Sequence, residues 1–542
     1  HILQKYNLYD HWEDVRVSVP RTLVLTTDFF DQFIQENGLT YIINSEVSDI
    51  DILSEFVASR LPQEMMDALR VFARVSRRPL AVRSSSKLED SYHQPFAGVY
   101  STYMIPFTEN EDQQLRLLGK AIKSVYAATY FASARGYIVS TANVISEEKM
   151  AIVVQEVCGR EENGYFFPTI SGVARSINFY PIGRERADEG IVKIAYGLGK
   201  VVVDGEQVLR FSPRHPKHVI QTSTPELTMR ETQQSMLALS MLPEAFKTSV
   251  DDGVNLQRFN IHDCEQFSSL KLIASTYDYE NYRIVDSCHP TGPRFITFAP
   301  VLRFSTFPLS EIICHLLDIA EREMKTPVEI EFAATLGNSQ SVDVFNVLQI
   351  RPISADSLNT KVDWSAIDQT SPLILSDSAL GIGNVSNVRD VIYLKKASFD
   401  KMRTSEMAQT LREWNAKMRK QHRGYVLIGF GRWGSAIPTL GVPVSWSDIS
   451  EAKAIVECAL DDFRIDPSQG SHFFQNLTSF NVGYVNVNPF ARANDLYDED
   501  LLNVMEAEEE TEYLRHISLS QDLTIVIDGV GNHAYISLSN NT

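Results

Sequence analysis

The first part of the chain alternates between the residue periods of a strand and of a helix. Thr22–Leu25 is a short β-prone apolar run, and Thr27 follows in a position suited to cap a helix. The apolar positions after Thr27 at helical spacing are Phe29, Phe30, Phe33 and Ile34. The pattern predicts a strand that leads directly into an amphipathic helix.

A second helix is predicted from Met65, Leu69 and Phe72, ending near the Arg77-Arg78-Pro79 break. Pro79–Val82 then reads as a buried strand, and Arg83–Ser86 as a polar loop that follows it. The positions that predict one long amphipathic helix farther on are Leu118, Ile122, Val125 and Ala132.

From Met150 onward the pattern is typical of strands. The predicted strands are Met150–Val157, Gly172–Phe179, Ile191–Tyr196, Val328–Ala333 and Val342–Ile350. A helix capped by Ser310 is expected before the last two strands, which we expect to be joined by a turn at Gly337-Asn338-Ser339. The alternation predicts an α+β or α/β fold.

The last part of the chain mixes charged and apolar segments. It contains a basic helix at Lys401–Lys420, a strand at Tyr425–Ile428, an acidic helix at Asp498–Tyr513 and a closing strand at Leu523–Ile527. The two charged helices are expected to have solvated faces or to form subunit contacts in a homo-oligomer.

A chain of 542 residues is too long for one hydrophobic core. We predict subdomains at 1–145 and 146–355, a polar linker at 356–372, and a smaller α/β domain at 373–542. The chain begins with His1 rather than Met, so we expect it to be part of a longer protein.

Composition narrows the class of protein. The net charge of −19 argues against nucleic acid as the main partner, because a phosphate backbone calls for a basic surface. The sequence has no apolar run long enough for a membrane span and no signal segment. The five cysteines are far apart in sequence and form no metal-ligand pair, which is typical of the reducing cytoplasm.

The first candidate site is the Arg83 region. Arginine offers a planar fork of donors suited to phosphate oxygens, and Ser84 adds a hydroxyl and a backbone donor. Farther along the same segment, Gly98 allows a ligand to approach the backbone closely. The alternative is a polar turn with a structural arginine.

The second candidate site lies on the two strands before residue 353. Glu329 and Glu331 share one strand face, and Gln349 and Arg351 share a face of the next strand. If the strands pair, Glu331 and Gln349 converge as oxygen ligands for a hard cation such as Mg²⁺, with Arg351 near the phosphates. The alternative is an edge hairpin with a solvated polar face.

Weaker candidates lie between these two sites. Gln155 could meet an adenine edge, Gly172 could allow close ligand approach, and Gly197, Gly199 and Lys200 could hold phosphates. This glycine segment is not a P-loop, because the required earlier glycine is missing. Taken alone, each of these segments is better explained by a plain β-turn.

The order of these segments resembles the nucleotide-binding module of phosphoenolpyruvate synthase and pyruvate phosphate dikinase. The segments that carry the resemblance, over roughly Val19 to Ile353, are Arg83-Ser84-Ser85, Glu89-Asp90, Phe96-Ala97-Gly98, Val154-Gln155, Ser171-Gly172-Val173-Ala174, Gly197-Leu198-Gly199, Glu331 and Gln349-Ile350-Arg351-Pro352. The resemblance implies an ATP-grasp fold and Mg²⁺-assisted phosphoryl transfer. It also implies that Arg83 and Arg351 hold phosphates, Glu331 and Gln349 bind metal, and Gln155 lines the adenine pocket.

The sequence departs from this family in several places. The segment before Val19 lacks the family's glycine-rich loop with its phosphate-binding lysine, so we expect either that the loop lies upstream of His1 or that the site is weakened. Arg175 replaces a usual apolar residue and Lys200 a usual acidic one, so we expect added positive charge near the phosphates. The sequence shows neither the phosphohistidine signature nor the pyruvate barrel of the full enzymes.

Two motifs after residue 372 need separate interpretation. Gly429–Gly434 matches the dinucleotide fingerprint Gly-x-Gly-x-x-Gly, but Pro438, Gly441 and Pro443 interrupt the helix that it requires. We therefore expect a structured loop anchored by Arg432 and Trp433. His472 is a candidate phosphoryl acceptor, and its alternative is a histidine packed beside aromatic rings.

The sequence thus predicts an ATP-dependent phosphotransferase that binds ATP and Mg²⁺ and passes a phosphoryl group to a histidine or a small molecule, pyruvate by family analogy. One alternative is a catalytically weak ATP-binding sensor or regulatory protein, since the lysine loop is missing. The other is a dinucleotide enzyme that uses the loop at Gly429.

Overall fold

The computed structural model describes most of the chain. The described residues are 2–43, 45, 47–86, 100–139, 148–179, 181, 185–288, 292–337, 342–353, 362–367, 371–381, 383–435, 437–464, 477, 480–529 and 531–538. They form two compact units divided after Ile353, with the short segment Asp204–Glu206 grouped with the second unit. The finer division of the first unit at residues 145 and 146 stays a prediction.

The helices of the first unit lie mostly in its N-terminal half. They are α1 (Ile2–Lys5), α2 (Thr27–Glu36), α3 (Thr40–Ile43), α4 (Asp49–Ala58), α5 (Gln63–Val75), α6 (Glu111–Ala128), α7 (Ala132–Val139), α8 (Lys200–Val203), α9 (Pro225–Glu231), α10 (Ala299–Leu302) and α11 (Leu309–Met324). The predicted helices after Thr27 and around Leu69 are confirmed. The predicted single helix through Ala132 is divided, because α6 ends at Ala128 and Ala132 begins α7.

The strands of the first unit are β1 (Val15–Ser18), β2 (Thr22–Leu25), β3 (Leu80–Ser86), β4 (Thr102–Ile105), β5 (Met150–Glu156), β6 (Arg160–Glu162), β7 (Tyr165–Phe167), β8 (Ile170–Arg175), β9 (Ile191–Ala195), β10 (Leu209–Phe211), β11 (Ser235–Ser240), β12 (Leu256–Asn260), β13 (Ala274–Asp278), β14 (Arg283–Val285), β15 (Arg294–Ile296), β16 (Val328–Thr335) and β17 (Asp343–Pro352). Two of the sheets that they form carry the candidate site residues. Within the described residues, one is a four-stranded sheet of order β2-β5-β3-β4 and the other a six-stranded sheet of order β1-β17-β16-β8-β9-β10.

The prediction of a polar loop at Arg83–Ser86 is wrong. Strand β3 continues through Ser86, and its residues pair with β5 from Leu80 opposite Glu156 to Ser86 opposite Met150. The burial pattern of this segment explains the error, because Ser84 and Ser86 are buried although their side chains are polar. Serine side chains in a buried strand gave a polar pattern that is more common in loops.

The second unit is built around a seven-stranded sheet of order β19-β26-β25-β22-β21-β29-β28 among the described residues. Its strands are β18 (Ile374–Ser376), β19 (Ala379–Leu380), β20 (Gly383–Val385), β21 (Val388–Leu394), β22 (Gly424–Phe430), β23 (Arg432–Trp433), β24 (Gly441–Val442), β25 (Ala452–Cys458), β26 (Gly483–Val487), β27 (Leu496–Tyr497), β28 (Glu509–Glu510), β29 (Leu514–Ser518), β30 (Thr524–Asp528) and β31 (His533–Ser537), and its helices are α12 (Thr404–Lys420) and α13 (Asp500–Asn503). Strands β21, β22, β25 and β26 run parallel to one another. Mixed α and β structure with several sheets, as predicted, is confirmed for the chain.

The prediction of an acidic helix at Asp498–Tyr513 is wrong. The segment contains the one-turn helix α13 and strand β28, which pairs antiparallel with β29 after the segment. The acidic residues are held by tertiary ion pairs instead: Glu508 accepts from Arg423 at 2.8 Å, and Glu510 accepts from Lys395 at 2.9 Å. Charge alone therefore misled the prediction, because the partners of these carboxylates lie far away in sequence.

The glycine motif at Gly429–Gly434 forms parts of two strands and does not open a helix. Strand β22 ends at Phe430, and β23 begins at Arg432. The Trp433 indole is buried and donates to the Val456 carbonyl at 3.1 Å, which anchors the loop as expected. A pyrophosphate site needs a helix N-terminus at this point, so the dinucleotide hypothesis has no structural basis here.

Asp390 is a buried carboxylate in the second unit, and its environment makes the stability of that unit depend on pH. Burial would raise the pKa of Asp390, but hydrogen bonds from His516 and Arg423 outweigh it, so the pKa lies below its ordinary value of 3.8. A carboxylate with a lowered pKa in the folded state stabilises the protein above about pH 4, and this stabilisation is lost as the pH falls through the folded pKa.

We expect the free energy of unfolding of the second unit to decrease below about pH 4, and Asp390→Asn to flatten this part of the pH profile. Denaturant unfolding at a series of acidic pH values measures both curves. An equal slope in the wild type and the variant would contradict the assignment to Asp390.

Among the helices that the structure describes, none is both long and apolar enough to cross a lipid bilayer.

Candidate functional site

Arg83 and Gln155 lie on the same face of the four-stranded sheet. Arg83 pairs with Val153 on β5, and Gln155 on that strand pairs with Ala81, two residues before Arg83. Directly opposed residues of antiparallel strands point to the same side, so the two polar side chains share one face. Gln155 is also opposite Thr22 and donates to its hydroxyl at 3.2 Å.

The other residues predicted beside Arg83 are placed differently. Ser84 lies on the opposite, buried face of the sheet, since successive strand residues alternate between faces. Ser85 follows on the Arg83 face. Gly98 lies outside the described residues, so its predicted role near a ligand stays a prediction.

The Arg83 guanidinium reaches across to the six-stranded sheet. Its Nη2 donates to Gln349 Oε1 at 2.9 Å and to Glu331 Oε2 at 3.3 Å. Glu331 and Gln349 face each other on the paired strands β16 and β17, as the sequence pattern predicted. Arg83 therefore forms one hydrogen-bonded group with Glu331 and Gln349, which lie 248 and 266 positions farther along the sequence.

Arg351 completes this group from the same strand as Gln349. Its Nη2 donates to Glu331 Oε1 in a short ion pair and lies 3.6 Å from Glu329 Oε1. The side chains of Arg351 and Glu331 are 14% and 12% exposed, so both are shielded from bulk water yet accessible from one side. Partial burial strengthens each charge interaction relative to an exposed ion pair.

The strand pattern explains why these side chains converge. Glu329 and Glu331 alternate with Ile330 and Phe332, which are buried in the core of the first unit. One face of β16 is therefore fixed by the core, and the other face must present the carboxylates.

The sequence did not identify Glu329 and Arg175 as residues of the same network. Glu329 is 1% exposed and accepts from Arg175 Nε at 2.7 Å. The available signal was Arg175 itself, a charged residue directly after the apolar Val173-Ala174 pair at the end of a buried strand. A buried charge at such a position indicates a partner of opposite charge.

The predicted glycines have packing functions of their own. Gly197 has φ of +89°, and a Cβ there would lie 2.6 Å from the Leu237 carbonyl oxygen. At Gly172, a Cβ would lie 2.5 Å from the Phe332 ring. Both positions thus require glycine without any ligand, and their contacts with a nucleotide, like that of Gly199, stay predictions.

Lys200 follows this glycine turn and is neutralised by an aspartate. Its Nζ lies 3.2 Å from Asp252 Oδ1, and the other Asp252 oxygen accepts from the backbone N–H of Thr102 at 2.8 Å. Thr102 is the β4 residue opposite Arg83. Lys200 therefore lies near the Arg83 strand, but the positive charge that we expected it to add is balanced by Asp252, as that of Arg175 is by Glu329.

The donor atoms of Glu331 and Gln349 fit a small hard cation. Their oxygens converge on one positively charged nitrogen, Arg83 Nη2, which shows that both can direct negative charge to the same point. Carboxylate and amide oxygens are suitable ligands for Mg²⁺.

Another group of candidate metal ligands occurs in the second unit, where Asp390, Glu508 and His516 place their donor atoms within 4.8 Å of one another. The Arg423 guanidinium already donates to both carboxylates of this group. It is therefore a charge network balanced by arginine, and we assign no metal to it. His472, the candidate phosphoryl acceptor, lies outside the described part of the chain.

Comparison with known proteins agrees with the position of this network. Residues 4–371 match the family described as pyruvate phosphate dikinase, AMP/ATP-binding domain. The chain belongs to this family. The matched range contains every residue of the Arg83, Glu331, Gln349 and Arg351 group, and it identifies this part of the chain as an AMP/ATP-binding domain.

Curated relatives match about a third of the chain. The chain is 32% identical over 187 residues to an uncharacterized phosphotransferase, YvkC, of Bacillus subtilis, covering 34% of this chain and 20% of that protein. It is 29% identical over 204 residues to phosphoenolpyruvate synthase of Deinococcus radiodurans, and 24% identical over 212 residues to that of Aeropyrum pernix. Each of these two matches covers 35% of this chain and 24% of the relative, so the chain matches at most about a quarter of each relative's length.

Proposed function

We propose that the first unit binds Mg-ATP in an ATP-grasp arrangement and acts in an ATP-dependent phosphotransferase. The observation that carries the proposal is the convergence of Arg83, Glu331, Gln349 and Arg351 from two sheets in an AMP/ATP-binding family. The adenine is assigned to the Gln155 end of the four-stranded sheet, and the phosphates to the Arg83 end.

The proposed chemistry follows from charge. Phosphoryl transfer requires the protein mainly to position the reacting groups and to supply positive charge around the transferred phosphoryl group. Arg83 and Arg351 supply two planar forks of donors that match phosphate oxygens. Glu331 and Gln349 would hold Mg²⁺ with the oxygens that accept from Arg83 in this structure, and the Arg83 guanidinium would bind the phosphates. The bound cation supplies charge neutralisation at the phosphate oxygens.

The acceptor belongs to the proposal as well. A histidine or a small molecule receives the phosphoryl group, with pyruvate proposed because two relatives are named phosphoenolpyruvate synthase. The described cysteines are all free thiols, which supports a reducing, cytoplasmic location.

The direct experiment is product analysis. The chain is incubated with ATP and Mg²⁺, with and without pyruvate, and the nucleotide products are separated by chromatography. We expect AMP or ADP to form and to depend on Mg²⁺. Failure of the chain to bind ATP would overturn the proposal.

A second candidate, an ATP-binding sensor or regulatory protein of weak activity, is favoured by one observation. Both arginines already pair with Glu331, so its single carboxylate offsets part of the positive charge that a phosphate would meet. Tight ATP binding without any product from the full-length protein would favour this second function.

Glu331→Ala tests the proposed cation site. We expect the Mg²⁺ concentration that half-saturates ATP binding or turnover to rise at least tenfold, because losing even a residue that only supports a metal ligand costs roughly 10–100-fold in affinity. Titration of Mg²⁺ at fixed ATP measures this change, with the exposed Glu161→Ala as control. An unchanged Mg²⁺ requirement would remove Glu331 from the cation site.

A further inference from the structure

A buried arginine lies two strands from Arg351 on the same face of the six-stranded sheet. Arg175 on β8 is directly opposite Glu329 on β16, and Glu329 is directly opposite Arg351 on β17. The three side chains form a cross-strand row of alternating charge, parallel to the row of Val173, Glu331 and Gln349. Directly opposed residues lie about 4.5–5.5 Å apart, close enough for each charge to affect the next.

Glu329, the central residue of this row, contacts the two arginines unequally. Arg175 Nε donates to Glu329 Oε2 at 2.7 Å, whereas Arg351 Nη2 lies 3.6 Å from Glu329 Oε1. Arg351 instead makes its short ion pair with Glu331. Arg175 thus satisfies Glu329 so closely that Arg351 is directed toward the more accessible carboxylate.

The burial of this pair makes its charge balance important. The Arg175 and Glu329 side chains are 9% and 1% exposed, so water cannot neutralise either of them. If Arg175 lost its charge, Glu329 would attract Arg351, the other arginine that the structure describes within 4 Å of it. A buried charge without its partner costs several kcal/mol, enough to reorient a neighbouring side chain.

We propose that Arg175 is a positioning residue for the nucleotide site, acting through Glu329 to keep Arg351 on the Glu331 side and available to phosphate. The inference rests on the proposed function, in which Arg351 binds phosphate. It gives Arg175 a role at a distance from the ligand.

The connection between the two arginines is measured without nucleotide. Denaturant unfolding is compared for Arg175→Met, Arg351→Met and the double variant. Hydrogen exchange of β16 peptides reports the unfolding midpoint of the first unit in each. Since both arginines share Glu329, we expect the double variant to lose more than the sum of the single losses. Additive midpoint shifts would overturn the proposal.

The effect on the site is measured with Mg-ATP. We expect Arg175→Met to weaken Mg-ATP binding at least tenfold, and Arg175→Met combined with Glu329→Gln to restore it to within about threefold, because a neutral Glu329 no longer attracts Arg351. Affinity is measured under conditions in which each variant is fully folded, so that a loss of stability alone does not change it. Unchanged affinity in Arg175→Met, or no recovery in a folded double variant, would overturn the proposal.

A matched control lies on the same sheet. Arg210 on β10 forms an ion pair with Glu185, also at 2.7 Å, with side chains 10% and 13% exposed. We expect Arg210→Met to leave Mg-ATP affinity unchanged, and an equal loss there would overturn the assignment to Arg175. If the wild-type chain does not bind Mg-ATP, the proposed function fails. The unfolding experiment without nucleotide still shows whether Arg175 and Arg351 are coupled through Glu329.

Discussion

Replacement of Arg351 by alanine is expected to lower kcat/KM for ATP by about a hundredfold or more, equivalent to about 2.7 kcal/mol of transition-state stabilisation. The variant removes a guanidinium that lies beside Glu331 and Gln349 in a partly buried site, where water replaces the lost charge poorly. Steady-state kinetics with ATP as the varied substrate, read as AMP or ADP formed, measures the effect.

Arg283 provides the control for this experiment. It is an exposed arginine of the first unit on β14, 3.8 Å from Asp278, and it belongs to a different sheet from Arg83 and Arg351. We expect Arg283→Ala to retain wild-type kinetics. Wild-type kinetics in Arg351→Ala as well would remove this arginine from the proposed phosphate site.

The second large effect is expected on stability, from Glu329→Ala. This variant removes the buried carboxylate that Arg175 and Arg351 share, and removing one partner of a buried ion pair costs roughly 3–5 kcal/mol. We expect the free energy of unfolding of the first unit to fall by about that amount. Equilibrium denaturation measures it, with hydrogen exchange of β16 peptides assigning the transition to this unit.

A surface ion pair of nearly the same length is the natural comparison. Glu323 pairs with Lys5 at 2.8 Å, with side chains 30% and 49% exposed, and such pairs contribute roughly 0–1 kcal/mol. Glu323→Ala is therefore expected to change stability far less than Glu329→Ala. Equal losses in the two variants would mean that burial does not determine the contribution of Glu329.

Much of the candidate site could be predicted from local patterns. Alternation along Glu329–Phe332 identified which face of the strand carries carboxylates, and the same rule placed Gln349 and Arg351 together. The structure pairs Glu331 with Gln349 as this pattern predicted. These inferences succeeded because a strand with one buried face permits a single register.

Other predictions failed where local composition and tertiary environment disagree. The serines after Arg83 resemble a loop but continue a strand, because their backbone groups pair with β5. The acidic residues near Glu508 resemble a solvated helix, but distant cations such as Arg423 and Lys395 hold part of the segment in a strand pair. Neither partner can be read from the neighbouring sequence.

The sequence by itself predicted the mixed α/β class and the family, which are both confirmed, and it suggested the side chains that we propose for phosphate and metal. Only the tertiary structure showed that Arg83 donates hydrogen bonds to Glu331 and Gln349, and that Glu329 forms an ion pair with Arg175. The reason is physical: periodicity assigns a residue to a face of one strand, whereas ion pairs between strands depend on how the chain brings distant segments together. From the sequence we expected Arg175 and Lys200 to add positive charge near the phosphates. In the folded protein, Glu329 balances the charge of Arg175 and Asp252 that of Lys200.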